Sequence, residues 1–579
     1  MKRLIQCAVL SLLSVTSFCQ WNTDTTSRNP ICTLIKNQYS PRLCSDGSGG
    51  AIITWVDERN SSSASVYAQR ISKTGKTLWA ANGILVYDPA INGGLGADYS
   101  AIVPDNSGGA IIIYQSSIIG GARQIFAQHI NATGSLLWGN GVKLTDGYDS
   151  RLNWAESPEE SGISADGSGG AFITWQGYQA THFIYAQHID ANGNLVWGIS
   201  GAGLPLINGS NGYTSTIVST GGGTAVVGYT DAVYGFYLQR LAANGANLWG
   251  PSGLLVSPVY NFQSAHILTY DGVSATPAVM AAFVTQSTPG SSPRNITTQK
   301  IDLNGNILWK PGGVNITNAI SDQSQPDIIP DNKGGAFLIY DSTFKAKVQH
   351  ISSKGKSLWG TNGITIDGVS GSSQANPVIV SDGGTGIISV FYDSRNGYPD
   401  ALFTQHYNVS GTALWRSNSV PIITNHVNRN HQVNPTIAAT KGYAITCWTD
   451  ERDLATGDNI YVAHFGGAAG FQLLLSAAEQ QTAKAVQLKQ ASSNTILQVY
   501  PNPASNSAAV YFELKAAEKN GVLELYDANA KKVTHYSLGS LAAGKHSSQL
   551  NLTNVPAGVY HIVLSCGSCT WNTALLVTK

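Results

Sequence analysis

The sequence predicts an all-β chain, and three observations predict it. A Gly-rich turn followed by an apolar run recurs through the first 465 residues. A second turn phrase, ending in tryptophan, follows it seven times at fixed spacing. The last eighty-odd residues drop that pattern for short alternating strands broken by Pro, Asn and Gly.

The first phrase reads SDGSGGAIITW at 45–55, ADGSGGAFITW at 165–175 and PDNKGGAFLIY at 330–340. Asp bonds the nearby backbone and Gly reaches positive φ, so the opening letters make a tight turn. The β-branched and aromatic run that follows is a strand. Similar turns occur at 105–109, 220–223 and 381–384, and weaker ones at 270–272 and 440–442, which makes eight copies. The second phrase reads VYAQRISKTGKTLW at 66–79 and recurs six more times. Its glycine always precedes its tryptophan by four residues: Gly75/Trp79, Gly134/Trp138, Gly193/Trp197, Gly245/Trp249, Gly305/Trp309, Gly355/Trp359 and Gly411/Trp415.

Each repeat therefore holds four strands. In the first they are 41–45, 51–57, 66–72 and a fourth from Leu78 through 84–86. Antiparallel four-stranded sheets recurring about every 40–60 residues predict a β-propeller, in which each sheet buries its faces against its neighbours. The eighth repeat, 435–465, stops after three strands. RNPICTL at 28–34 resembles the fourth-strand tails NGILV, NGVKL and NGITI, so it is expected to complete repeat eight and fasten the ring. Eight blades are expected over residues 20–465; the irregular fifth repeat makes seven the alternative.

Charge narrows the function classes. Lys+Arg and Asp+Glu both number 34, and 12% of residues are charged, so no basic face favours nucleic acid. Residues 1–19, MKRLIQCAVLSLLSVTSFC, read as a secretory signal peptide. A lipid anchor on Cys19 is the alternative, and Phe18 fits it poorly. No other segment is apolar and long enough for a transmembrane helix. Five cysteines remain after cleavage: Cys32, Cys44, Cys447, Cys566 and Cys569. The Cys566/Cys569 pair suits a hairpin crosslink or two thiols better than a metal half-site.

After Phe465 a Gly/Ala/Gln/Ser-rich stretch, 466–496, reads as a flexible linker. The remainder, 497–579, reads as a small β-sandwich. It carries Tyr500-Pro501-Asn502-Pro503, LELYDANAKKV, Leu552 through Val555-Pro556-Ala557-Gly558-Val559-Tyr560, and Leu575 to Lys579. With these motifs it closely resembles the type A C-terminal sorting domain of Bacteroidota proteins exported by the type IX secretion system. The resemblance implies that Pro501, Asn502, Pro503, Pro556, Gly558, Tyr560 and Lys579 belong to the sorting signal. It also implies that the type IX machinery is a partner of residues 497–579 and that the product is secreted or held at the outer cell surface. The repeats resemble uncharacterised propeller repeats joined to such domains, a likeness that brings no activity.

Three repeats follow strand two with Asp-x-Arg. They are Asp57-Glu58-Arg59, Asp450-Glu451-Arg452 and Asp393-Ser394-Arg395, in repeats one, eight and seven. In a closed ring these are neighbours, and His426, Arg429 and His431 open on the same face. Arg makes forked contacts and Asp accepts from hydroxyls, which suits a glycan or surface-protein ligand. The competing reading is that Asp caps the loop and Arg pairs with it. Glu58 and Glu451 on adjacent repeats raise a glycosidase, which needs two carboxyls roughly 5–9.5 Å apart. No nucleophile elbow, phosphate loop or His-Glu-x-x-His accompanies them. A binding module is therefore expected, with an envelope scaffold and then a glycan-cleaving hydrolase as alternatives. Arg70, His129, His188, Arg240, Lys300, His350, His406 and His464 share one strand-three register. They are about one sheet spacing, ~10 Å, apart, too far to share a zinc ion. They are expected to bond backbone or stack on the tryptophans, and the turn Asp residues to form turns; neither metal nor cofactor is expected.

Overall fold

The computed structural model describes residues 21–22, 28–466 and 497–577, apart from 61–62, 93, 119–122, 146–148, 152–161, 179–181, 199–211, 232–234, 259–265, 287–292, 318–320, 368, 370, 396–399, 416–417, 428–435, 441–442, 453–456, 503, 515, 528–531, 557 and 567–568. It divides into two compact units, Met1–Ala468 and Ala469–Lys579. Strand accounts for 60% of the chain and helix for 1%, so the protein is all-β. The expected signal peptide and almost all of the expected linker lie outside the described residues.

In the first unit, repeats one to six each form an antiparallel sheet, and repeats seven and eight are joined in one eight-stranded sheet. Repeat one sets the pattern with Gln38–Ser45, Ala51–Asp57, Ser65–Ile71 and Ile84–Tyr87. Strand two, Ala51–Asp57, is buried at every residue. Successive side chains of a strand point to opposite faces, so each face has its own neighbour. Ile53 and Trp55 enter a core with Ile445 and Cys447 of repeat eight. Ile52 enters a core with Ile112 and Tyr114 of repeat two. Further cores join repeats two and three, three and four, four and five, five and six, and six and seven. Repeats seven and eight meet through the backbone bridge Val427↔Asp450.

Strand one begins earlier than expected, at Gln38, and strand four begins later. Leu78 lies outside the fourth strand, which starts at Ile84. The intervening segment is a Thr77↔Ile71 bridge and a turn, with Asn82 and Gly83 at φ 61° and 89°. Gln69 holds it in place. Its Oε1 accepts from the Trp79 amide at 3.0 Å, and its Nε2 donates to Ala80 O at 2.7 Å. The same glutamine recurs as Gln128, Gln187, Gln239, Gln299 and Gln349.

Five of the tryptophans then reach forward, while the buried indole nitrogen of Trp249 finds no hydrogen-bond partner among the described residues. The indole of Trp79 donates to Ala132 O of the next repeat at 3.2 Å, Trp138 to Ala191 O at 3.2 Å, Trp197 to Ala243 O at 2.9 Å, Trp309 to Ser353 O at 2.9 Å and Trp359 to Val409 O at 3.1 Å. Repeat eight has no tryptophan in that place, and Trp21 takes the role. Its indole donates to Lys73 O of repeat one at 2.9 Å. It also lies over Gly75 (φ +84°), where a Cβ would come within 3.1 Å of the ring. Residues Asn29–Cys32 pair antiparallel with Asn459–Gly466, in the register Asn29↔Val462, Pro30↔Tyr461 and Cys32↔Ile460. Arg28, buried, donates to Ile422 O of repeat seven. The N-terminal segment thus touches repeats seven, eight and one.

The second unit has two antiparallel sheets. One holds Gln498–Tyr500, Ser507–Leu514 and Gly544–Asn551. The other holds Lys532–Leu541, Glu518–Asp527, Gly558–Cys566 and Cys569–Val577. Val510, Phe512 and Leu550 of the first share one core with Leu523, Leu525, Ile562, Leu564 and Leu575 of the second. Cys566 and Cys569 are backbone partners in register at the end of their hairpin.

Candidate functional site

The three Asp-x-Arg sequences adopt one geometry. Trp55 and Asp57 are two residues apart on a strand, so both point to the same face. Asp57 Oδ2 accepts from the Trp55 indole at 2.7 Å and from Arg59 Nη2 at 2.5 Å. Its Oδ1 accepts from the Arg59 amide and Nε, each at 2.9 Å. The Arg59 guanidinium lies 3.7 Å from the centre of the Tyr67 ring, a cation–π contact. It also donates to Asn82 O at 2.8 Å and to Cys32 Sγ at 3.1 Å. Asp57 is 1% exposed. Burial works against the Arg59 charge, but the Asp57 hydrogen bonds outweigh it and hold the guanidinium above its usual pKa. Burial pushes the Cys32 thiol up to about 11, so it accepts from Arg59 as a neutral thiol.

Repeat eight repeats the arrangement. Asp450 accepts from the Trp448 indole at 2.9 Å and from Arg452 Nε and Nη2 at 2.7 and 2.6 Å, with Arg452 3.9 Å from the Tyr461 ring. In repeat seven Phe391 replaces the tryptophan, and Gln374 Nε2 donates to Asp393 Oδ2 at 3.2 Å instead. Arg395 pairs with Asp393 at 2.6 Å and with Asp367, and lies 3.8 Å from the Phe403 ring. Each arginine bolts the loop after strand two onto its own sheet, and each aspartate is at most 1% exposed.

Glu58 and Glu451 stand next to these bolts and are half-buried. Glu58 N donates to Asn37 O at 3.0 Å, and Glu58 Oε2 accepts from Asn37 Nδ2 at 3.1 Å. Asn37 Oδ1 in turn accepts from the Asp458 amide of repeat eight at 3.3 Å, across 421 residues of sequence. His426 lies in the strand Val420–Val427; Arg429 and His431 fall outside the described residues. Sequence reasoning missed Trp21, Arg28, Asn37 and Asp367. The Trp-x-Asp spacing was the available clue to the first half of each bolt, because a period of two puts both side chains on one face.

The strand-three cations divide into two groups and one exception. Arg70, Arg240 and Lys300 donate to backbone carbonyls of the following repeat. His129, His188, His350 and His406 each meet the turn aspartate of their own repeat, Nε2 to Oδ2, at 2.9 Å. The other oxygen of those aspartates accepts two turn amides, as for Asp105 Oδ1 with Ser107 and Gly109 at 2.7 and 2.8 Å. His464 in repeat eight has no such partner among the described residues. It stacks between Trp21 (5.1 Å between centroids) and Tyr443 (4.8 Å). Burial there lowers its pKa to about 4.

In the second unit the Tyr500–Pro501 bond is cis. Tyr500 is 74% exposed and Tyr511 48%. With Leu497, Val499, Asn502 and Thr573 they line a shallow depression of about 670 Å³. Tyr560 is buried and donates to Pro556 O at 2.9 Å; Gly558 begins its strand. Pro503 and Lys579 lie outside the described residues.

Residues 498–578 match the family described as the secretion system C-terminal sorting domain. The chain therefore carries the export signal of type IX secretion, which directs it to the cell surface or extracellular space. No curated protein matches the chain. Similar solved structures include an ulvan lyase, a polysaccharide lyase bound to -[GlcA(1-4)Rha3S]- (10% identity, TM-score 0.38, 67% of this chain and 97% of that one). A protein of unknown function from Dyadobacter fermentans is similar at 10% identity and TM-score 0.35 (75% and 96%). AofleA from Arthrobotrys oligospora is similar at 12% identity and TM-score 0.30 (56% and 87%). Likeness at this level says nothing about the chemistry of this chain.

Proposed function

We propose that residues 20–465 form an eight-bladed β-propeller, displayed outside the cell as a binding module for a glycan or surface-protein ligand. The run of cores from each repeat to the next, together with the core uniting repeats eight and one, supports the ring. The N-terminal strand on repeat eight supports its closure within one chain. In this reading 1–19 is the signal peptide, 466–496 the linker, and 497–579 the sorting domain that the type IX machinery engages. The ligand-facing surface is the set of loops over repeats seven, eight and one.

The observation that carries the site is the threefold Asp–Arg bolt on adjacent repeats. The bolts spend their own charges internally, so they act as a rigid base. Contact with a ligand falls to Glu58, Glu451 and the outer edges of Arg59, Arg395 and Arg452. A rigid base lowers the ordering cost of binding. The test is binding of the purified secreted protein to an array of glycans, beside a Glu58→Lys/Glu451→Lys variant with an unchanged melting temperature. Binding lost in the variant supports the site. Binding retained removes it from this face, and no binding by the native protein counts against a glycan ligand.

A further inference from the structure

The strand-three cation differs in length between repeats one and two, and with it the groove that each shares with the next repeat. Arg70 fills its groove. Nε and Nη2 donate to Asp46 Oδ2 at 3.1 and 2.9 Å, while Nη1 crosses to Ala132 O of repeat two at 2.9 Å. The guanidinium then lies against Gly108. Arg240 and Lys300 cross in the same way, each at 2.8 Å. His129 is shorter. Its ring reaches Asp105 of its own turn and goes no further. Ala191 O, the counterpart of Ala132 O, meets the Trp138 indole but, among the described residues, no such cation.

What remains between repeats two and three is an open groove of about 590 Å³. That lies in the range of small-ligand sites, about 300–1,000 Å³. The Asp105 charge is already met by His129 and by the Ser107 and Gly109 amides at 2.7 and 2.8 Å. The lining is otherwise neutral. Asn106, Ser107, Thr133 and Ser168 expose amide and hydroxyl groups, and Leu137 is 50% exposed among them. Hydroxyl partners around one aliphatic platform suit a sugar ring, which has polar edges and C–H faces.

We propose that this groove binds a neutral sugar ring. It is built from the turns between strands one and two and between three and four, at the opposite ends of the strands from the Asp–Arg loops. It does not depend on the binding surface proposed above.

The test is amide hydrogen exchange on the full secreted protein with glucose, galactose or mannose at high millimolar concentration. At least one hexose is expected to slow exchange in 105–109, 131–137 and 167–169. His129→Arg should abolish that protection, because its guanidinium has Asp105 and Ala191 O waiting for it and fills the groove as Arg70 does. Leu137→Asp, at an exposed side chain that leaves packing intact, should abolish it too. Protection by none of the three hexoses overturns the proposal, as does equal protection in a folded His129→Arg or Leu137→Asp protein.

Discussion

Repeat two and repeat eight perform the same task with different chemistry. In repeat two everything is contiguous: the turn Asp105 holds His129, and Trp138 follows to lock onto repeat three. In repeat eight the turn has no aspartate, and the strand-three cation position holds His464 stacked between Trp21 and Tyr443. The lock onto repeat one comes from Trp21, at the far end of the sequence. An interior joint therefore forms from local contacts, whereas the seam must bring together groups more than 400 residues apart, such as Asn37 and Asp458. Closing so long a loop has an entropic cost that local joints avoid. The three Asp–Arg bolts sit on the repeats that flank this seam. Arg59 even ties to Cys32 of the incoming strand.

The contrast can be broken first at Trp21. Trp21→Ala removes a buried indole, its hydrogen bond and the His464 stack, and should cost about 3–5 kcal/mol. Trp138→Ala should cost a similar amount. Only the Trp21 change should speed amide exchange in Asn29–Cys32 and Asn459–Gly466, and exchange mass spectrometry separates the two. The bolts come next. Asp57→Ala leaves a buried guanidinium and the Trp55 indole without their acceptor and should cost about 3–5 kcal/mol. Glu58→Ala, one residue away and half-buried, should stay within about 1 kcal/mol in the same urea titrations.

Acid should separate the seam from the interior. The folded pKa of His464, about 4, lies below its ordinary 6.5, so the unfolded chain binds the extra proton first. The stability linked to neutral His464 is full above about 6.5 and is lost as pH falls toward 4, by roughly 3 kcal/mol at most. For Asp331 and Asp382 burial raises the pKa, but the histidine partners and turn amides outweigh it and hold both carboxyls below the ordinary 3.8. Their contribution is present above that value and fades only as pH falls below it. Melting temperatures followed from pH 7 to pH 3 should drop in two stages, and His464→Phe should remove the first. The glycines should show a smaller effect than the bolts. Gly75→Ala meets positive φ and the Trp21 ring, whereas Gly47→Ala meets positive φ with open space around it. Both should lose about 1–2 kcal/mol for the backbone, with Gly75→Ala the worse of the pair.

Much of this was legible in the sequence. The repeat phrases placed the strands, and the likeness of 28–34 to other fourth strands predicted its pairing with Asn459–Gly466. Trp21 was not legible, because the Gly-x-x-x-Trp phrase that marks its seven counterparts is absent around it. The pairing of Asp with Arg was one of the two readings of the letters, but the rest of each bolt was not visible. Asp57 Oδ2 is spent on Trp55 as well as Arg59, and Arg59 reaches on to Asn82 O, which only the folded sheet brings close. The histidines were half legible. Contact with the repeat tryptophans was expected, and His129, His350 and His406 meet Trp138, Trp359 and Trp415 edge-on. Nothing in the register signalled that four of them would also meet the turn aspartate of their own repeat.

The central claim is that the N-terminal segment closes the first unit from within. The most direct measurement is to remove residues 20–34 and return them as a synthetic peptide. The shortened chain should melt lower and exchange faster along Asn459–Gly466. The peptide should restore both in a concentration-dependent way, as a docking strand does, and a Trp21→Ala peptide should fail. A shortened chain that melts and exchanges like the full one would contradict the account.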